Sequence, residues 1–78
     1  MTSFSKNYPN LNWWVENQGW IEIGQDENSR SMVRILDEGG NIWESNPKSK
    51  SLDEDIDAAE KVIVNWIKEN TLKQHIFN

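Results

Sequence analysis

A chain of 78 residues with no cysteine and one histidine has room for one small core, and no disulfide or cysteine-based metal site can staple it. Thirteen acidic residues against eight basic ones give a net charge of −5. Phosphate contact needs the opposite balance, which disfavours nucleic acid and anionic membranes as main partners.

A domain this small buries only about 60% of the surface of its unfolded chain, so each large apolar residue matters. Five tryptophans suit that need, since each can bury roughly 150–250 Å². No stretch approaches the ~20 apolar residues of a membrane span. The opening Met1-Thr2-Ser3-Phe4-Ser5-Lys6-Asn7 lacks the apolar centre of a secretion signal. Together with the missing cysteines, these features set the expectation of a cytoplasmic protein without membrane attachment.

Residues 1–10 are polar apart from Phe4 and Tyr8 and read as a loose N-terminal arm. Leu11-Asn12-Trp13-Trp14-Val15 is an apolar run too short for periodicity to separate strand from helix. From Gly19 the signal sharpens. Trp20-Ile21-Glu22-Ile23 reads as a strand, rich in β-branched and aromatic residues. Polar residues 25–29 supply a turn, and residues 31–36 a second strand. Asp37-Glu38-Gly39-Gly40-Asn41 has the glycines of a tight hairpin, and residues 42–45 form the third strand.

Pairing Ile23 with Val33, and Ile35 with Trp43, collects Ile21, Ile23, Val33, Ile35 and Trp43 on one face. The other face then carries Glu22, Arg34 and Glu44 in a row, with Trp20, Leu36 and Ile42 grouped at one end. A slip of one residue would mix the two sets, so the register is well specified.

After the loop at Pro47, Ser51-Leu52-Asp53-Glu54 matches a capping box. Asp53, Glu54, Asp55 and Asp57 crowd the start of the helix, where its dipole favours negative charge. Leu52, Ile56, Ala59, Ile63, Trp66 and Ile67 make a helical stripe. The spacing predicts a helix over 52–69 ending near Asn70, and a tail, 71–78, that frays or folds back. The expected fold is one α+β domain over 1–78, a three-stranded antiparallel β-meander packed on one C-terminal helix, in the order β-β-β-α.

Little in this pattern points to catalysis. His75 lies close to the last residue, far from an enclosed site that would orient a base. Ser29, Ser31 and Ser45 have no evident activating partner. Asp37 and Glu38 fall in a hairpin turn, and no helix follows Gly39-Gly40 to make a phosphate loop. The acidic cluster at 53–57 lacks the spacing and central glycine of a calcium loop, and helix capping accounts for it better. No enzyme activity, cofactor or metal is expected.

Arg30, Arg34, Lys48 and Lys50 offer a nucleic-acid reading of the sheet, with Trp20 as an aromatic contact. Neutralisation of Arg34 by Glu22 and Glu44 is the plainer reading. Trp43 and Trp66 fall on core positions, whereas Trp13, Trp14 and Trp20 do not. One helix covers only one side of a sheet. On the other, either Trp13 or Trp14 closes over Trp20 as a second small core, or Trp20, Leu36 and Ile42 contact another molecule.

The segment from Gly19 to Gly24, the strand beginning at Arg30, the Asp37-Glu38-Gly39-Gly40 turn and the Ser51-Leu52-Asp53-Glu54 helix start resemble small acidic cyanobacterial proteins without assigned activity. The resemblance spans residues 8–69 and brings no functional residue with it. In layout, three strands and a helix are also similar to the plant AP2-type DNA-binding domain and the arm-binding domain of phage integrases. That similarity implies DNA contact through the open sheet face, where Glu22 and Glu44 here stand beside Trp20 and Arg34.

The reading that follows is a non-catalytic protein-interaction module or small regulatory subunit. Its expected contact face is Trp20, Glu22, Arg34, Leu36, Ile42 and Glu44, on the side of the sheet opposite the helix. The partner is another protein or a second copy; a nucleic-acid-binding domain using the same face is the alternative.

Overall fold

The computed structural model describes residues 3–25, 27, 30–49 and 51–76, with side chains described within 4–71. Helices α1 (Ser3–Asn7) and α2 (Pro9–Asn17) precede strands β1 (Trp20–Ile23), β2 (Val33–Asp37) and β3 (Gly40–Glu44), and α3 (Leu52–Ile76) closes the order. The strands form one antiparallel sheet in the order β1-β2-β3, so the α+β meander with its C-terminal helix is present.

The register follows the side-chain pattern. Ile23 faces Val33, Glu22 faces Arg34, and Arg34 and Ile35 face Glu44 and Trp43. Beyond Ile35 the pairing shifts: Leu36 faces Asn41, which leaves Ile42 as an additional residue on β3. Such a bulge bends the strand and strengthens its twist. At the hairpin, Gly40 takes a φ of 118°, a conformation other residues rarely adopt. The Asp37 carboxylate accepts the Gly39 N–H at 2.8 Å. At the other end, Ser45 prolongs the ladder: its N–H donates to Val33 O at 2.9 Å, and its Oγ accepts the Val33 N–H at 3.1 Å.

The N-terminal segment departs from the expected loose arm. Ser3–Asn7 is helical, and Pro9 opens a second helix at the position where its fixed φ is favourable and its missing N–H is not needed. Tyr8 offers α2 no side-chain cap. The cap comes instead from α3, across the fold. Glu60 Oε1 accepts the Leu11 N–H at 2.8 Å, and Oε2 accepts Asn10 N–H at 3.1 Å and Asn10 Nδ2 at 2.6 Å. A carboxylate held against unsatisfied amides at a helix start makes strong, charge-assisted hydrogen bonds.

Helix α3 begins as its capping residues predict, with Ser51 Oγ accepting the Glu54 N–H at 3.2 Å. It runs past the expected stop, to Ile76. Asn70 does not cap it: the Asn70 amide donates back to Trp66 O at 2.8 Å, inside the helix. Residues 71–76 contain no glycine or proline to end the helix. Most of the segment expected to fray is therefore helical, and residues 77–78 lie outside the described part.

Leu11 and Trp14 of α2, Val33 and Ile35 of β2, and Ile56, Ala59 and Ile63 of α3 form the buried core. Tyr8, Ile21, Met32, Trp43, Val62, Trp66 and Ile67 pack around it. Both long helices thus lie on the same side of the sheet. Two positions of the apolar pattern stay outside: Leu52 in the first turn of α3, and Ile23 at the end of an edge strand, 56% exposed. An edge strand has no neighbour on its outer side to help cover its end.

The Trp14 indole is fully buried, lies edge-on against Trp66 at 5.0 Å, and donates its N–H to Leu36 O at 3.1 Å. Trp13 also turns to Trp66, at 6.4 Å. Neither closes over Trp20, so the second small core does not form. The α2–β1 connection passes so close to β2 that a Cβ on Gly19 would stand 2.0 Å from Leu36 O and 2.8 Å from Trp14 Nε1. The Gly19→Ala variant is expected to lose about 1–3 kcal/mol through this forced overpacking, seen as a lower urea midpoint with a shifted tryptophan emission.

Tyr8 is half-buried between α1 and α3. Burial, and then the charge and acceptor oxygens of Asp57, hold its phenol above the ordinary value of 10.0, with Asp53 and Glu60 adding to the effect. The folded state therefore keeps the phenolic proton more tightly than the unfolded one. The resulting stabilisation is complete below the unfolded value and is lost as pH climbs through the folded one. Denaturant midpoints should fall above about pH 10 in the wild type, and more gently in Tyr8→Phe.

Candidate functional site

Because α2 and α3 share one side of the sheet, its reverse is uncovered by either helix. Alternation along the strands places Trp20 and Glu22 of β1, Arg34 and Leu36 of β2, and Glu44 of β3 on that reverse side. Trp20 is 43% exposed and Ile42, at the bulge, 38%. Leu36, half-buried, is the direct cross-strand neighbour of Trp20.

Arg34 organises the centre of this face. Its Nε donates to Glu22 Oε1 at 3.1 Å, with the arginine side chain only 13% exposed and the glutamate 48%. One terminal nitrogen donates to Gly24 O at 3.0 Å and the other to Ser31 O. The planar guanidinium thus clamps the end of β1 to the residues leading into β2, a fork geometry that lysine cannot reproduce. The second oxygen of Glu22 accepts the Trp20 indole N–H at 3.3 Å, linking the arginine clamp to the exposed aromatic ring.

Glu44 faces Arg34 across the ladder, and its carboxylate is also held by Ser31 Oγ and by the Asn41 amide, each at 2.9 Å. Ser31 and Asn41 were not among the residues expected at the face. Their signal in the sequence is weak: Ser31, read there as the first residue of the second strand, precedes β2 in the structure, and Asn41, read as a turn residue, lies in β3. Of the serines singled out in the sequence, Ser31 donates its hydroxyl to the Glu44 carboxylate, and Ser45 Oγ is the acceptor that completes the ladder.

Of the other basic residues expected beside Arg34, Arg30 and Lys48 are described. Arg30 is exposed in the β1–β2 loop, and Lys48 stands beside Trp43 and Ala58 at the margin between sheet and α3. Ser29, Lys50 and the side chain of His75 lie outside the described residues. Among the described residues no three acidic, histidine or cysteine side chains group to hold a metal ion, and no helix is long and apolar enough to cross a membrane.

A second aromatic surface escaped the sequence pattern. Trp13, 39% exposed, and Trp66 line a groove of about 300 Å³ with Gln18, Ile67, Asn70 and Thr71. It exists only because α2 lies against α3.

Comparison with known proteins finds no family model, curated protein or solved structure that matches this chain. The functional reading therefore rests on the face itself. Replacing Arg34 with lysine keeps the charge and removes the fork. Urea unfolding should register a loss of about 1–3 kcal/mol, whereas Trp20→Ala, at an exposed position, should change stability by less than about 1 kcal/mol.

Proposed function

We propose that this chain is a non-catalytic protein-interaction module or small regulatory subunit that docks through the sheet face opposite its helices. One observation carries the reading: Trp20 and Ile42 remain 43% and 38% exposed on a face that neither α2 nor α3 approaches. In a small domain short of apolar material, large side chains left in water mark a surface that other molecules cover. Tryptophan is also the residue most often found at the energetic centre of protein interfaces.

The chemistry of the face defines its partner. Two carboxylates, Glu22 and Glu44, flank the apolar group against the single charge of Arg34. A complementary protein surface presents an apolar patch with a basic rim. Such a partner is proposed to reside in the cytoplasm. The nucleic-acid reading of the same face has weaker support, because Arg34 is committed to Glu22, Gly24 and Ser31 rather than turned out toward a phosphate.

Affinity capture of the tagged chain from its own host tests the proposal. Trp20→Ala combined with Leu36→Ser should deplete the captured proteins while leaving the far-ultraviolet dichroism native. An unchanged set of partners with an intact fold would end the reading. Binding of duplex or single-stranded DNA that weakens steeply with salt would move the assignment to the nucleic-acid alternative. A dimer in light scattering that dissociates in the double variant would identify the partner as a second copy.

A further inference from the structure

Strand β1 is an outer strand of the sheet, so one of its sides has no strand beside it. Hydrogen bonding along an antiparallel pair alternates, and one bond therefore fixes the direction of each residue. Gly24 N–H donates to Met32 O at 2.7 Å, in phase with the pairs Glu22–Arg34 and Trp20–Leu36. Ile21 and Ile23, between them, direct their N–H and C=O groups away from β2. Val33 agrees: its carbonyl turns to the Ser45 N–H, on the β3 side and away from Ile23. Among the described residues, no turn, loop or cap bond takes up the outward groups of Ile21 and Ile23.

The two outer strands differ in how they resist pairing. β3 is interrupted by the bulge at Ile42, and a bulge protects an edge by bending it. β1 carries no lysine, proline or bulge, and Ile23 at its end is 56% exposed. An edge left in this state is a template for a further strand, held by main-chain hydrogen bonds and selected by its alternate side chains.

The charge of β1 selects the incoming segment. Glu22, its only ionisable residue, lies between Ile21 and Ile23, where an added antiparallel strand brings side chains closest. A second copy that paired Ile21 with Ile23 in both directions would set Glu22 against Glu22, and like charges directly opposite destabilise a sheet. A basic residue there meets a carboxylate that is 48% exposed. Together with Glu44, that carboxylate outnumbers Arg34 on this part of the sheet. Apolar residues on either side of the basic one cover Ile21 and Ile23.

We propose that an extended segment of a partner protein adds to the outer edge of β1, with a basic residue opposite Glu22 and apolar residues opposite Ile21 and Ile23. The site is the edge rather than the reverse face, and the inference does not depend on the sheet-face reading.

The test titrates the isotopically labelled full chain with an acetylated, amidated peptide, Ser–Thr–Val–Arg–Val–Thr–Ser. Saturable shifts are expected at the amides of Ile21 and Ile23, with slower hydrogen exchange there. Methylating both valine nitrogens removes the donors that face the isoleucine carbonyls, and Ser–Thr–Val–Glu–Val–Thr–Ser reverses the charge. Each altered peptide should bind about tenfold more weakly or worse. All three act on the wild-type chain, so no variant has to fold. Absence of saturable shifts, shifts centred on Leu36 and Ile42, or equal affinity for either altered peptide overturns the proposal. Shifts at Ile21 and Ile23 that grow with the concentration of the chain alone assign the edge to a second copy and also overturn it.

Discussion

The Trp14 indole joins α2, α3 and the sheet at one point. It fills the core, stands edge-on against Trp66 and donates its N–H to the Leu36 carbonyl. Burying a ring of this size contributes on the order of 4–6 kcal/mol by area alone. That is comparable to the whole net stability expected of a domain this small, about 4–12 kcal/mol. Such a contribution requires α2 to be a helix, to lie on the α3 side of the sheet, and to arrive there closely. Glu60 secures the first two by capping α2 from α3, and Gly19 permits the third by having no side chain to collide with β2. With no cysteine in the chain, this junction takes the place of a covalent staple.

The same junction determines which surface stays open. Had α2 crossed to the other side, Trp13 and Trp14 would have roofed Trp20, and the sheet would have been buried on both faces. Instead both helices compete for one face, and the reverse keeps an apolar cluster beside an ordered polar network. Glu22 ties that network together by holding Arg34 with one oxygen and the Trp20 indole with the other. An exposed tryptophan so tethered has fewer rotamers to lose on docking, which reduces the entropy opposing association.

The acidic residues fall into distinct physical roles once their surroundings are known. Asp53 and Glu54 sit in water at a helix start. Glu60 is a cap delivered across the fold, and Glu22 and Glu44 are held in the sheet-face network. Asp55 is buried, with one oxygen unmatched within the described chain. A net charge of −5 is the sum of these roles and describes none of them.

What the sequence alone determined were the features set by neighbours a few residues apart. Alternation in residues 20–44 specified three strands, their pairing from Ile23–Val33 to Ile35–Trp43 and the division of side chains between two faces, because a strand's side-chain period is two. Ser51 and the stripe from Ile56 to Ile67 specified where α3 starts and which side it buries, because capping and helical periodicity act within one or two turns. Tertiary structure alone decided that residues 9–17 are helical, since their cap comes from Glu60, 49 positions beyond Leu11. It likewise decided that Trp14 enters the main core, that Ile42 is displaced at a bulge, and that Asp55 points inward. Each of these depends on a contact between distant segments, and no local pattern records which distant segment will be there.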